Sequence, residues 1–170
     1  MPIACADITR IPFADDSFDL AVSFDVMQVV EPDVAAVREM ARIIRPGGHV
    51  VLSVAAFDAL SGDHPEVWNE HRRYTPQTAR ELVQSAGLVV ERVSFAFASL
   101  FPLMFAVRAT QRLVRPLRNG PSHSDIDVPW APINTALMLL LDGEAALNRV
   151  ISMPFGTSLI VVARKPIKGA

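Results

Sequence analysis

Apolar and polar positions follow two different rhythms along the chain. Phe18-Asp19-Leu20-Ala21-Val22-Ser23-Phe24 is a short, nearly continuous apolar run after a polar turn. That is the pattern of a strand buried on both faces. From Asp33 to Ile44 the spacing turns helical, with Val34, Val37, Ala41 and Ile44 on one face. Asp33 is the expected N-cap, with Pro32 just before it. Arg45-Pro46-Gly47-Gly48 reads as a helix stop and turn, and His49 to Val54 as a second buried strand. Thr75 and Pro76 cap and open the next helix, which runs to about Ala86 and ends at Gly87. Leu88 to Phe97 reads as the third strand, Leu103 to Leu117 as a helix and Asn119 to Pro132 as a loop. Ile133 to Val150 is mostly helical, although Gly143 weakens its middle. Thr157 to Ala163 reads as the last strand.

The order is strand, helix, strand, helix, strand, helical insertion, strand. Such alternation predicts a layered α/β domain with parallel pairing. The final turn, Pro154-Phe155-Gly156, is short, which favours an antiparallel last strand.

Composition narrows the function classes. With 170 residues, 51% of them hydrophobic and 20% charged, the chain can bury a core and is not disordered. A net charge of -2 gives no basic field of the kind a nucleic-acid binder carries. The one cysteine, Cys5, can form neither an internal disulfide nor a cysteine-rich zinc site. A reducing, cytoplasmic setting is the expectation. No secretory leader is visible. The longest apolar run, Val93 to Val107, falls short of the roughly 20 residues a spanning helix needs.

Ala6-Asp7-Ile8 followed by Ile11-Pro12-Phe13-Ala14-Asp15-Asp16-Ser17-Phe18-Asp19 resembles the signature of class I SAM-dependent methyltransferases. Three further blocks agree in order and spacing. They are Asp25-Val26-Met27-Gln28-Val29-Val30, then Ala41 to Leu52 around Arg45-Pro46-Gly47-Gly48, then Arg73-Tyr74-Thr75-Pro76 leading into Leu82 to Leu88. The resemblance covers Ala6 to about Phe97 and resumes at Phe155 to Arg164. Each block alone is unspecific, and the set in this order is not. It implies a Rossmann-like layered domain, mostly parallel with an antiparallel last strand. It also implies S-adenosyl-L-methionine (SAM) as cofactor and methyl transfer to a small-molecule or lipid-like acceptor.

By the same resemblance, Asp7 accepts a hydrogen bond from the adenine amino group and the Ile8 amide contacts the ring. The plain alternative is that Asp7 caps the turn that follows it. Ser23, Phe24 and Asp25 stand at the carboxyl end of the next strand, beside the methionine part of the cofactor. An aromatic face at Phe24 suits the sulfonium charge, and ordinary core packing suits Phe24 equally. Asp25 serves either the site or a turn cap. The family often places a histidine or an acid just after this strand; here Gln28 and Val29 stand there, so Gln28 is a substrate-orienting candidate rather than a base. His71 is the candidate proton acceptor, with a pKa near working pH, and Tyr74 a candidate for positioning substrate. The alternative for this loop is a structural tie between Glu70 and Arg72 or Arg73. Methyl transfer by in-line positioning does not require a strong base.

The family's glycine-rich cofactor turn and the acidic residue that holds the ribose are absent from this sequence. Residues 1–170 therefore read as a partial, truncated methyltransferase domain with a helical insertion at about 103–153, inactive without the missing part. A truncated gene, a subunit completed by a partner and a degenerate remnant are all compatible with this, as is a non-enzymatic interaction module. A dehydrogenase of related fold would lack the same loop and has none of the supporting blocks. Without the family's first strand, Leu20 to Phe24 becomes an exposed apolar edge, which predicts self-association. Arg108, Arg112 and Arg115 follow an apolar stretch at helical spacing, which suits a peripheral membrane contact or a solvated helix face.

Overall fold

The computed structural model describes residues 3–57, 71–102, 104–106, 110 and 130–167. Four strands form one sheet: β1 (Phe18–Phe24), β2 (Ile44–Ala55), β3 (Val89–Ala96) and β4 (Ser158–Arg164). Among the described residues the principal helices are α1 (Asp33–Ile43), α2 (Pro76–Ser85) and α3 (Ala131–Asn148), and residues 101–102 and 104–106 are also helical. The spatial order is β1-β2-β4-β3. β1 and β2 pair in parallel, and β4 runs antiparallel to both β2 and β3. Three strands thus point one way, and the last strand enters between two of them. The element order matches the alternation read from the sequence. The helix expected over Leu103 to Leu117 and the arginines at 108, 112 and 115 lie largely or wholly outside the described residues.

The core is one-sided. Val50, Leu52 and Val54 of β2 and Leu159, Val161 and Ala163 of β4 are buried against Ala36, Val37 and Met40 of α1 and Leu82 and Val83 of α2. These are alternate positions along each strand, so one face of the sheet takes both helices. Each fully buried aliphatic side chain contributes roughly 1.5–3 kcal/mol. The opposite face is far more open. Leu20, Val22 and Phe24 of β1 are 51%, 44% and 64% exposed. β1 is therefore an edge strand, as expected, but it is not buried on both faces as its apolar run suggested: the face carrying Leu20, Val22 and Phe24 has no element packed over it among the described residues.

Three local details differ from expectation or sharpen it. Thr75 does cap α2, through a reciprocal capping box with Thr78, and Pro76 opens the helix. Asp33 is not the N-cap of α1: Pro32 is, and Asp33 is the first helical residue. The Arg45-Pro46-Gly47-Gly48 segment is not a free turn but the irregular start of β2, because Ile44 already pairs with Phe18. A register shift between Phe18 and Leu20 absorbs the extra residues. Gly47 takes φ +84°, which only glycine adopts without strain. At Gly48 a Cβ would lie 2.8 Å from the Asp19 carbonyl oxygen.

Asp33 has a different task from capping. Its Oδ2 accepts from the Tyr74 hydroxyl at 2.8 Å and pairs with Arg72 at 2.7 Å. Arg72 also reaches Glu31 at 2.8 Å. Burial works against the Asp33 carboxylate. The hydrogen bonds from Arg72 and Tyr74 outweigh it and hold the pKa below the ordinary carboxylate value. A depressed native pKa stabilises the fold at neutral pH, and that contribution is lost as pH falls through the folded-state pKa. Tyr74→Phe should therefore cost about 1 kcal/mol at pH 7, and the cost should shrink once acid protonates Asp33. Urea unfolding of both proteins at pH 7 and near pH 3 measures this, and an equal difference at the two pH values would contradict it.

Candidate functional site

The carboxyl ends of β1 and β2 bring together residues 24–33, which follow β1, and residues 71–75, which return after β2 to open α2. Ligands of open α/β sheets sit beyond these strand ends. Turn 7–15 precedes β1 and is tied at Ile11, Phe13 and Asp15 to the last turns of α1, beside the start of β1.

Turn 7–15 is held onto α1 by Arg42. Its guanidinium donates to the carbonyl oxygens of Ile11 and Phe13, each at 2.8 Å, and pairs with Asp15 at 2.6 Å. Glu39 aligns Arg42 at 2.9 Å and accepts from the Ile11 amide at 3.0 Å. A lysine has no fork to make this set of contacts. Sequence reasoning did not assign Arg42 a role. The available signal was the Glu39–Arg42 spacing, which places an acid and a base on the same helix face.

Asp7 lies in this turn, exposed, with Oδ1 accepting from both the Thr9 amide and the Thr9 hydroxyl at 2.8 Å. These two bonds hold its carboxyl below the ordinary value. The turn-capping arrangement is thus present, and it occupies one carboxylate oxygen. A carboxylate has two oxygens and about four acceptor sites, so the capping bond leaves room for a second partner.

Ile8 stands with Ser23 and Phe24 in the lining of one cavity of about 440 Å³. Ile11, Phe13 and Val26 complete its wall toward the turn, and Met40 and Ile43 of α1 form its base. The cavity also takes in Leu20, Ala21 and Val22. Consecutive strand residues point to opposite faces, so this space wraps the free edge of β1. Ser23 is 6% exposed, and its hydroxyl has no hydrogen-bond partner. A buried polar atom without a partner is rare in folded proteins. Asp25 has φ +53°, its amide donates to the Ser53 carbonyl at 2.9 Å, and its carboxylate accepts from the Ser53 hydroxyl at 3.2 Å. These contacts fix the direction in which the chain leaves β1.

Gln28 and His71 are brought together through the backbone: the His71 amide donates to the Gln28 carbonyl at 2.8 Å. The Gln28 side chain is buried, with Oε1 unpartnered. His71 is exposed. Tyr74 is 3% exposed. Burial and the hydrogen bond to Asp33 push its phenol well above the ordinary value, so it stays protonated. Its hydroxyl is already committed to Asp33 and lies 3.2 Å from the Met27 carbonyl.

The cavity lies in the roughly 300–1,000 Å³ range of ligand pockets. Its walls are largely apolar, and the Ser23 hydroxyl is buried behind them without a partner.

Comparison with known proteins bears on the family and the fold. Residues 1–52 match the methyltransferase domain family. A demethylmenaquinone methyltransferase of Mycolicibacterium paratuberculosis is 51% identical over 53 residues, which are 31% of this chain and 23% of that protein. The match therefore spans about a quarter of the curated relative's length. Among solved structures, the chain resembles one in the Haloferax volcanii complex of the Trm112 methyltransferase activator with a methyltransferase. That likeness has a TM-score of 0.55 at 22% identity and covers 95% of this chain and 60% of the other. Phosphoethanolamine N-methyltransferase 2 of Haemonchus contortus, in complex with S-adenosyl-L-methionine, gives a TM-score of 0.55 at 15% identity and covers 95% of this chain and 36% of the other. The fold is that of the class I methyltransferases. Over residues 1–52 the sequence is similar to the methyltransferase domain family, and over most of its length the fold is similar to that of solved methyltransferases.

Proposed function

We propose that residues 1–170 supply the acceptor-side part of a SAM-dependent methyltransferase, acting on a small-molecule or lipid-like acceptor. The observation that carries this reading is the single cavity lined by Ile8, Ser23 and Phe24 along the free edge of β1. In this reading Asp7 and Ile8 hold the adenine end and Ser23, Phe24 and Asp25 the methionine end. The bound cofactor supplies an electrophilic methyl group on a sulfonium centre. Phe24 presents an aromatic face to that positive charge. His71 takes the proton from the acceptor, Gln28 orients the acceptor through its free amide oxygen, and Tyr74 positions both by holding 71–74 against Asp33. The curated relative's name, which specifies demethylmenaquinone, supports an apolar acceptor.

The chain is read as one partial domain with a helical insertion at about 103–153, and as inactive without a segment that completes the cofactor site. Cytoplasmic location goes with this reading; no described helix is long and apolar enough to cross a membrane. The apolar surface of α3, with Leu139 and Leu140 68% and 49% exposed, supports a peripheral membrane contact. The open edge of β1 supports a second reading, an interaction module that pairs through that strand without using SAM. Both readings predict self-association of the isolated chain. Light scattering should show a mass that rises with concentration, and a monomer at every concentration would count against the edge.

A SAM titration followed by amide chemical shifts separates the two readings. The enzymatic reading predicts weak, saturable shifts centred on Ile8, Ser23, Phe24 and Asp25, with a Kd weaker than about 1 μM, which corresponds to about -8.2 kcal/mol. Ser23→Ala should weaken the response further while leaving the melting temperature unchanged, because the hydroxyl has no partner in the fold. An absence of shifts at these residues would favour the interaction module. Micromolar or tighter affinity would show that the cofactor site is complete in this chain.

A further inference from the structure

A second cavity, of about 360 Å³, lies between α3 and the sheet face opposite the core. It shares no lining residue with the cavity at β1. Its floor is Arg92, Ser94 and Ala96 of β3 with Ile160 and Val162 of β4, and its roof is Leu141 and Ala145 of α3. Phe97, with φ +60°, lies at one end.

Apart from Arg149, the polar side chains of this cleft are bonded inward, to protein. Arg92 donates to the carbonyl oxygen of Ile151 at 2.8 Å and to the Ser152 hydroxyl at 3.1 Å, and also to the Asn148 carbonyl. Asn148 Oδ1 accepts from Ser94 at 2.6 Å, and Asn148 Nδ2 donates to the Phe95 carbonyl at 2.9 Å. Glu144 accepts from the amides of Ala98 and Ser99, each at 2.8 Å, and from the Ser99 hydroxyl at 2.6 Å. What remains to face the space is Ala96, Phe97, Leu141, Ala145, Ile160 and Val162. Water in such a space gains no hydrogen bonds from its walls, so an apolar occupant is favoured.

The two ends differ in charge. Glu144 stands at the Ala98–Ser99 end. Arg92 and Arg149 stand at the other, about the carboxyl terminus of α3. Arg92 spends its donors on the terminal carbonyls and so offsets the negative end of the helix dipole. Arg149 is exposed, and its side chain makes no hydrogen bond or ion pair with any described residue. We propose that this cleft is a ligand site, separate from the cofactor cavity, for a long-chain carboxylate. The hydrocarbon chain lies between α3 and the sheet, and the carboxylate faces Arg149.

Calorimetry on this chain with dodecanoate and with dodecanol, both below their aggregation limits, tests the proposal. Amide shifts on the unsubstituted chain give the location. Saturable one-to-one binding of both compounds is expected, with shifts at Ala96, Phe97, Ala145 and Val162. Ala145→Trp fills the cleft and should lower the affinity for both more than tenfold, with an unchanged helical circular-dichroism spectrum. Arg149→Gln should weaken dodecanoate about threefold to fivefold, the size of an exposed ion pair, and leave dodecanol unchanged. The site is refuted by non-saturable uptake, by shifts that map to the β1 edge, or by undiminished binding to folded Ala145→Trp. Equal loss of both compounds in Arg149→Gln would refute the assignment of the carboxylate.

Discussion

The parallel ladder between β1 and β2 is bonded on one side only, and the rest of the site depends on it. Parallel strands are normally covered on both faces and flanked within the sheet. Here β2 and the helices behind it hold β1, while its other edge and its Leu20–Val22–Phe24 face stay open. The same ladder carries Ser23 and Phe24 to the rim. It continues one residue past the strand, where the Asp25 amide bonds to Ser53. The cavity wraps this free edge, so the proposed cofactor contacts and any completion of the sheet meet at one strand.

Two arginines hold the loops on either side of β1. Arg42 ties turn 7–15 to α1, and Arg72 with Asp33 and Tyr74 ties the entrance of α2 to the start of α1. In each case a planar guanidinium meets backbone carbonyls or carboxylates from two segments far apart in sequence. That geometry specifies direction as well as attraction. The proposed roles of Asp7, Ile8, Gln28 and His71 rest on loops fixed in this way, not on regular secondary structure.

Much of the fold was legible from local rules. The apolar run at 18–24 named β1, and Thr75-Pro76 named the start of α2 to the residue. What local rules missed was decided by contacts between distant segments. Arg45-Pro46-Gly47-Gly48 has the composition of a turn, yet pairing of Ile44 with Phe18 draws it into the sheet. Asp33 has the identity and place of a cap, yet Tyr74 and Arg72 compete for its carboxylate. Tyr74 has the look of a substrate residue in sequence, and burial commits its hydroxyl to the fold. The cleft under α3 had no signal at all, because Asn148 and Glu144 find their partners some fifty residues earlier in the chain.

Hydrogen exchange of the β1 amides, at dilution where the chain does not associate, tests the open edge most directly. Since the Asp25 amide points to β2, strand alternation turns those of Ala21 and Ser23 the same way and those of Leu20, Val22 and Phe24 outward. Slow exchange at Ala21, Ser23 and Asp25 beside fast exchange at Leu20, Val22 and Phe24 is the expected pattern. Uniform protection of all six would mean that another strand already covers this edge, and the half-site described here would be wrong.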